Sequence, residues 1–370
     1  MFKKQSLVDT KVRGQTVLVR VDYNVPMKDG KVTDDLRIRE TIPTLELLEK
    51  KGARRIILVS HLGRPEGKKV PELSLAPVAE KLKSLLPNKK IFFISDVSGP
   101  DVEEAVEKLP VGGILLLENL RFFPGEEENS AEFAREIAES THAETFVQDG
   151  FAVVHRAHAS TSAVTSELPS VAGPLLEKEV VGLTKIAESP VHPFVVIIGG
   201  AKVSDKQPLI EKFLKIADKI IVGGKIAADI SDGKLSDGEK ELFNNNSDKI
   251  YIATDFRVDE SGAKLDIGEN STSEILKFLD GAKTVLWNGA LGYVENPDYA
   301  KSSTALAEYL GTHPEIYSVI CGGDTTGFVE NLQATKPDLH YGLISTGGGA
   351  ALELLSGESL PGLDSLDDKY

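Results

Sequence analysis

The chain has 370 residues, 41% hydrophobic and 27% charged, with a formal net charge of −15: the composition of a globular protein with sizeable cores. That charge argues against a nucleic-acid binder or a partner of anionic membranes, and the single cysteine, Cys321, excludes an intrachain disulfide framework. No apolar run approaches the ~18–20 residues of a membrane helix, and no apolar secretory core follows Met1-Phe-Lys-Lys, so a cytoplasmic location is expected.

In chain order, short β-branched runs alternate with helical periodicity. A strand over Thr16–Val21 ends in Arg20-Val-Asp22-Tyr-Asn24-Val-Pro26, and Thr33-Asp-Asp-Leu-Arg37 opens a helical segment, Leu36–Lys50. The strand Arg55–Val59 runs into Ser60-His61-Leu-Gly-Arg64-Pro. A helix over Ser74–Leu86, a strand over Ile91–Ile94 and a helix over Asp101–Leu109 follow. The strand Gly113–Leu117 then leads to Glu118-Asn-Leu-Arg121, and the helix Ser130–Ser140 to a strand Thr145–Gln148 and His155-Arg156-Ala-His158. Ten of the eleven arginines lie in residues 1–185. A lone surface arginine is usually a solvated charge. Arginines recurring at the carboxyl ends of parallel strands, where open α/β sheets bind ligands, point to a converging cluster for a small phosphorylated acid. The pair His155 and His158 has metal-ligand spacing but no third ligand, and the Glu126–Glu128 run reads as a solvated face.

Pro174–Ser189 places Leu176, Val180, Leu183 and Ala187 on one helical face, and Ser189-Pro-Val-His-Pro193 breaks it, which predicts a helix joining two lobes. Strands follow at Phe194–Ile198, Lys219–Val222, Lys249–Ile252, Lys283–Trp287, Tyr317–Ile320 and Tyr341–Ile344, with helices over Lys206–Ala217, Ser271–Leu279 and Lys301–Leu310. The alternation predicts two α/β lobes, each a parallel sheet flanked by helices. Glycine-rich turns close three of these strands: Ile198-Gly-Gly-Ala-Lys202 with Lys206 a helical turn on, Cys321-Gly-Gly-Asp324-Thr325, and Ser345-Thr-Gly-Gly-Gly349. One such turn alone is more often only a tight turn. Three at strand ends, with lysines and helix N-termini, make a site for polyphosphate, and Asp324 is placed to hold Mg²⁺ through one carboxylate. The G-x-x-x-x-G-K-[ST] and G-x-G-x-x-G patterns are absent. No arrangement for covalent catalysis stands out; the residues suit positioning and charge neutralisation, as phosphoryl transfer requires.

Taken together, Arg20–Pro26, Ser60–Pro65, Leu117–Phe122, Gly199–Lys206, Trp287–Gly289 and Ser345–Ala350 resemble the phosphoglycerate kinase family, in its order and approximate spacing along essentially the whole chain. The resemblance implies two Rossmann-like lobes joined by a hinge helix. Residues 1–173 would form the triose-phosphate lobe, 174–189 the connecting helix and 190–355 the nucleotide lobe, with the tail 356–370 returning to the first lobe. The implied reaction is reversible transfer of the acyl phosphate of 1,3-bisphosphoglycerate to ADP, giving 3-phosphoglycerate and ATP, with Mg²⁺, in-line geometry and lobe closure. A monomer with no nucleic-acid or membrane partner is expected.

Carried over by motif, Asp22, Asn24, Arg37, His61, Arg64, Arg121 and Arg156 correspond to the triose site, with Arg37 also meeting the transferring phosphoryl group. Gly200, Ala201, Lys202 and Lys206 correspond to the nucleotide-phosphate turn, with Lys202 supporting the phosphoryl in flight. Gly224, Leu265, Asn288, Gly292 and Glu295, the last on the ribose, match further nucleotide contacts, as do Gly322, Gly323, Asp324 and Thr325. Asp324 matches the magnesium position, and Gly348 lies in the helix N-terminus that cradles transition-state charge. Departures concentrate at the base end. Lys225 and Lys264 stand for glycines, Ala290 for a proline, and Tyr293 for a smaller aliphatic residue, while Gln148-Asp-Gly-Phe-Ala152 replaces Asn-Asp-Ala-Phe-Gly. Two lysines at one apolar slot would swing to its rim, so weaker discrimination between ADP and GDP is expected.

Overall fold

A computed structural model describes residues 2–369, which fold into two compact units. Unit 1 holds the chain up to Val181 together with the segment from Ser359 onward, and unit 2 is Gly182–Glu358. The chain passes from one to the other within a single helix, Pro174–Glu188.

Unit 1 is built on six parallel strands in the order Ile91–Phe93, Gly113–Leu116, Arg55–Val59, Thr16–Arg20, Thr145–Gln148 and Ser170–Ala172. The central strands are buried along their length, as expected for a sheet covered by helices on both faces. Val17, Val19, Ile56, Leu58, Leu116 and Val147 form the middle of one core, against Leu45, Leu48, Val78 and Leu82 of the covering helices. Register sets Arg20 between Val59 and Gln148, so the ends of three strands align at one edge. The tail is tied to this unit. Lys4 Nζ donates to the Asp364 and Leu366 carbonyls at 2.7 and 2.8 Å, and the Asp367 carboxylate accepts from the Ser170 N–H at 2.9 Å.

Unit 2 carries six parallel strands ordered Ile250–Ile252, Lys219–Val222, Phe194–Ile198, Thr284–Asn288, Tyr317–Cys321 and Leu343–Ile344. This is the Rossmann order, and its switch point lies between Phe194–Ile198 and Thr284–Asn288, where such sheets open a crevice. An antiparallel hairpin, Phe256–Val258 with Lys264–Ile267, lies outside the main sheet.

The two-sheet α/β architecture is the one the sequence implied, with local corrections. The segment Leu36–Lys50 is two helices, Leu36–Glu40 and Ile42–Lys50. Pro43, which cannot donate a backbone hydrogen bond, sits in the first turn of the second. The strand Ser170–Ala172 and the hairpin were not foreseen, nor were the helices Gly224–Ser231 and Asp237–Asn245. No helix among the described residues is long and apolar enough to cross a membrane.

Candidate functional sites in the two units

In unit 1 the strand ends gather cations around a buried frame. Arg20 is fully buried, and its Nη2 donates to His61 Nδ1 at 3.1 Å. A guanidinium has no acceptor, so His61 Nδ1 accepts and the ring proton sits on Nε2. Burial pushes His61 well below the ordinary histidine value, and Arg20, Arg121 and Arg37 push in the same direction. Burial, with Arg20, Arg121 and Arg156 beside it, brings His158 down to about 4, so both rings are neutral at pH 7. The Asp22 carboxylate pairs with Arg37 Nη1 and accepts from the Asn24 N–H at 3.1 Å. Asn24 Oδ1 accepts in turn from the Gly63 N–H at 2.9 Å, and the Gly63 carbonyl accepts from Arg121 Nη1 at 2.8 Å. Arg156 Nε meets His155 Nε2 at 3.2 Å.

The structure therefore brings together Asp22, Asn24, Arg37, His61, Arg121 and Arg156. Arg64 stands exposed one residue beyond Gly63. Arg20, which ends the central strand and belongs to the strand-end arginines read from the sequence, is absent from the residues that the family resemblance assigns to the triose site. Its burial lowers the guanidinium pKa, while Glu126 and Asp22 pull it back up. Nε and Nη1 of Arg20 are buried without a hydrogen-bond partner.

Glu126 corrects an expectation. Rather than lying on a solvated face, it is fully buried, accepting from Ser160 N at 3.0 Å and Ser160 Oγ at 2.6 Å, with His158 Nδ1 at 3.8 Å. A carboxylate is tolerated there because two donors and the neighbouring arginines compensate it. Asp149 is also structural: its Oδ1 accepts from the Leu175 N–H at 2.9 Å, capping the Pro174–Glu188 helix. Burial raises this carboxyl to about 6.

In unit 2 a cleft of about 470 Å³ opens at the switch point, a size suited to a small-molecule ligand. Gly200, Ala201, Lys202, Lys206, Gly322, Gly323, Asp324 and Thr325 line it together with Leu265, Gly292, Tyr293, Glu295, Lys225 and Lys264. The loops after Phe194–Ile198 and Thr284–Asn288 nearly touch. The Gly199 N–H donates to the Asn288 carbonyl at 2.9 Å and the Gly200 N–H to the Ala290 carbonyl at 3.1 Å. A Cβ at Gly199 would lie 2.2 Å from the Ala290 oxygen, so only glycine allows this approach. Gly292 is held as closely, with a Cβ there 2.3 Å from Asp266 Oδ1. Asp266 is a buried anchor that the sequence reading missed. It accepts from Ser302 Oγ and from Ser302 N at 3.2 Å, and fixes the hairpin against the Gly292 loop.

Gly224 and Asn288 stand behind the wall of the cleft rather than on it. Asn288 is fully buried, with Nδ2 donating to Cys321 Sγ at 3.0 Å, and Gly224, at φ +59°, would carry a Cβ 2.6 Å from the Ala290 oxygen. Gly348, at φ +51°, precedes the helix Gly349–Ser356, whose Leu352 reaches the cleft. Burial lowers the Lys206 ammonium, while Cys321, Asp205 and Asp324 pull it back up, so a partly desolvated cation shares the cleft with the acidic side chains of Asp205 and Asp324. Among the described residues no three His, Cys, Asp or Glu side chains converge on a metal site. The exposed Asp324 carboxylate in the first turn of Gly323–Thr335 fits an ion that takes most of its ligands from phosphate and water.

The sequence profile of the phosphoglycerate kinase family matches residues 7–256 and 234–358. A phosphoglycerate kinase of Fervidobacterium nodosum is 39% identical, covering 100% of this chain and 99% of that protein. Solved structures of phosphoglycerate kinase from Coxiella burnetii (32% identical, TM-score 0.81) and Pyrococcus horikoshii (27%, TM-score 0.85) each align over 98% of both chains. The glycine turns of unit 2 and the strand-end arginines of unit 1 thus sit in a chain that belongs to the phosphoglycerate kinase family, phosphotransferases whose acceptor is a carboxyl group.

Proposed function

We propose that this chain, as a cytoplasmic monomer, transfers the acyl phosphate of 1,3-bisphosphoglycerate directly to the β-phosphate of ADP. What carries the reading is that each unit holds one complementary half of the chemistry. A neutral-histidine, multi-arginine cluster in unit 1 suits a phosphorylated acid, and a glycine-walled cleft with Lys202 and Lys206 in unit 2 suits a nucleoside diphosphate.

In the step itself the bond from phosphorus to the carboxyl oxygen breaks and one to the ADP oxygen forms. The glycerate leaves as a carboxylate, so no general acid is required. The catalytic work is positioning and charge stabilisation. Arg121 and Arg156 hold the remote phosphate, with Arg64 at the rim, while Asp22, Asn24 and His61 orient the glycerate. His61, with its proton on Nε2, donates to an oxygen without adding charge. Arg37, which also binds the glycerate, and Lys202 reach the phosphoryl group in flight, and the N–H groups after Gly348 add helix-terminal donors. Magnesium, when bound with the nucleotide, neutralises phosphate charge, and Asp324 would hold it. The two sets of groups belong to different units, and the reading includes closure about the Pro174–Glu188 helix when both substrates are bound.

A coupled assay for ATP made from 1,3-bisphosphoglycerate and ADP tests this reading. Turnover in the range of ordinary enzymes is expected. A folded, monodisperse protein that forms no ATP overturns it.

A further inference from the structure

The unit 2 cleft carries, with the apolar Leu265 and Tyr293 against which a flat base would pack, two cations that the transfer step does not use. Lys225 opens the Gly224–Ser231 helix and Lys264 opens the Lys264–Ile267 strand, and both line the cleft beside Leu265 and Tyr293. Each pairs with an acidic neighbour that does not line the cleft. Lys225 Nζ contacts both carboxylate oxygens of Asp229, at 2.9 and 3.0 Å. Lys264 Nζ pairs with Asp232 Oδ1, donates to Ser231 Oγ at 2.9 Å, and lies 5.0 Å from the Phe256 ring centroid. Lys234 pairs with the same two carboxylates. Three ammonium groups against two carboxylates leave this cluster one positive charge in excess.

An ammonium has three N–H donors and no acceptor. With two contacts committed outward, each lysine keeps one donor for a ligand in the cleft. What such a donor wants is a carbonyl oxygen. Adenine offers an amino group at its 6-position, which is itself a donor and is repelled by the excess charge. Guanine and hypoxanthine offer an oxygen there.

We propose that Lys225 and Lys264 set the base preference of this cleft toward 6-oxopurines, so that GDP and IDP are taken on a par with ADP or better. The inference rests on the nucleotide reading of the cleft. It concerns only the base, leaving the phosphate turn and Asp324 as they are.

The test is calorimetric titration of ADP, GDP and IDP into the wild type and the Lys225→Met/Lys264→Met variant, with kcat/KM for each nucleotide alongside. Methionine keeps the apolar stem and removes the ammonium. GDP and IDP should bind the wild type at least as tightly as ADP. The double variant should lose about tenfold for both while ADP is unchanged or tighter. IDP lacks the 2-amino group of GDP, so a shared loss locates the contact at the 6-oxygen. A Lys225→Arg/Lys264→Arg variant, which restores donors, should recover the oxopurines. Wild type that favours ADP over both, or nucleotide ratios left unchanged by the methionine variant, overturns the base assignment while the kinase reading stands. Folded wild type that binds and phosphorylates none of the three overturns the kinase reading and this inference with it.

Discussion

Replacing Gly199 by alanine puts one methyl group into the closest backbone approach of unit 2. The new Cβ would sit 2.2 Å from the Ala290 oxygen, 2.5 Å from the Gly289 oxygen and 2.8 Å from the Ala290 carbonyl carbon. All three are backbone atoms at the switch point, so no flexible side chain can yield, and relief requires the two loops to part by about 1 Å. Gly199 is not in the left-handed region, so the effect is purely steric. Overpacking of this kind costs ~1–3 kcal/mol, which for a unit of this size is a fall of roughly 2–12 °C in Tm. The same displacement carries Gly200, Ala201 and Lys202 away from where the nucleotide phosphates of the proposed reaction would sit. A misplacement of ~1 Å costs on the order of 10²-fold in rate. Calorimetry and the coupled assay read the two effects separately. Gly327→Ala is the matched control. It lies inside the Gly323–Thr335 helix with nothing within 4 Å of the added Cβ, and should raise stability by ~1 kcal/mol. A Gly199→Ala protein with wild-type Tm and wild-type kcat/KM would refute the close-approach account of the turn.

Lys202→Ala should lower kcat by ~10²–10³ with a much smaller change in ADP affinity; equal losses in kcat and affinity would mean that Lys202 binds the ground state instead. Glu126→Ala strips Ser160 of its acceptor and Arg20 of a compensating charge, and should cost ~3–5 kcal/mol. A denaturant midpoint equal to wild type would contradict that. Burial holds Asp149 up at about 6 against an ordinary 3.8, so the folded state binds the extra proton between those values. This contribution is full below the lower value and is lost as pH rises through the upper. Asp149→Asn keeps an acceptor for the Leu175 N–H and removes the titration. Its stability relative to wild type should therefore rise from about pH 4 to pH 7, and a flat difference across that range would refute the assignment.

Much of this was legible in the sequence because parallel strands buried on both faces are written as short β-branched runs. Thr145–Gln148, Phe194–Ile198 and Lys219–Val222 match the sequence to the residue, while Thr284–Asn288 lies one residue later than the sequence implies and Ile250–Ile252 starts one residue later. Ser170–Ala172 escaped because three residues with one β-branched member carry no periodicity; pairing with Thr145–Gln148 makes it a strand. The hairpin at Lys264 escaped because its sequence alternates only weakly, and its fold depends on Asp255 accepting from Ser271 N at 2.8 Å and on the buried Asp266. Charged residues were hardest to read. Glu126 and Glu127 look alike in sequence, yet the first is buried against Ser160 and the second pairs with Arg121 near the surface. Lys225 and Lys264 were read as leaving the slot for its rim, and the carboxylates that hold them there, Asp229 and Asp232, lie four residues and more than thirty residues away.

The division of labour between the two units is tested most directly by titrating 3-phosphoglycerate and ADP separately into the wild type, Arg37→Ala and Lys206→Ala. Arg37→Ala should weaken 3-phosphoglycerate by about tenfold or more and leave ADP unchanged, and Lys206→Ala should do the reverse. Variants that lose both ligands together, or an Arg37→Ala protein that binds 3-phosphoglycerate as wild type does, would contradict the assignment of acid and nucleotide to separate units.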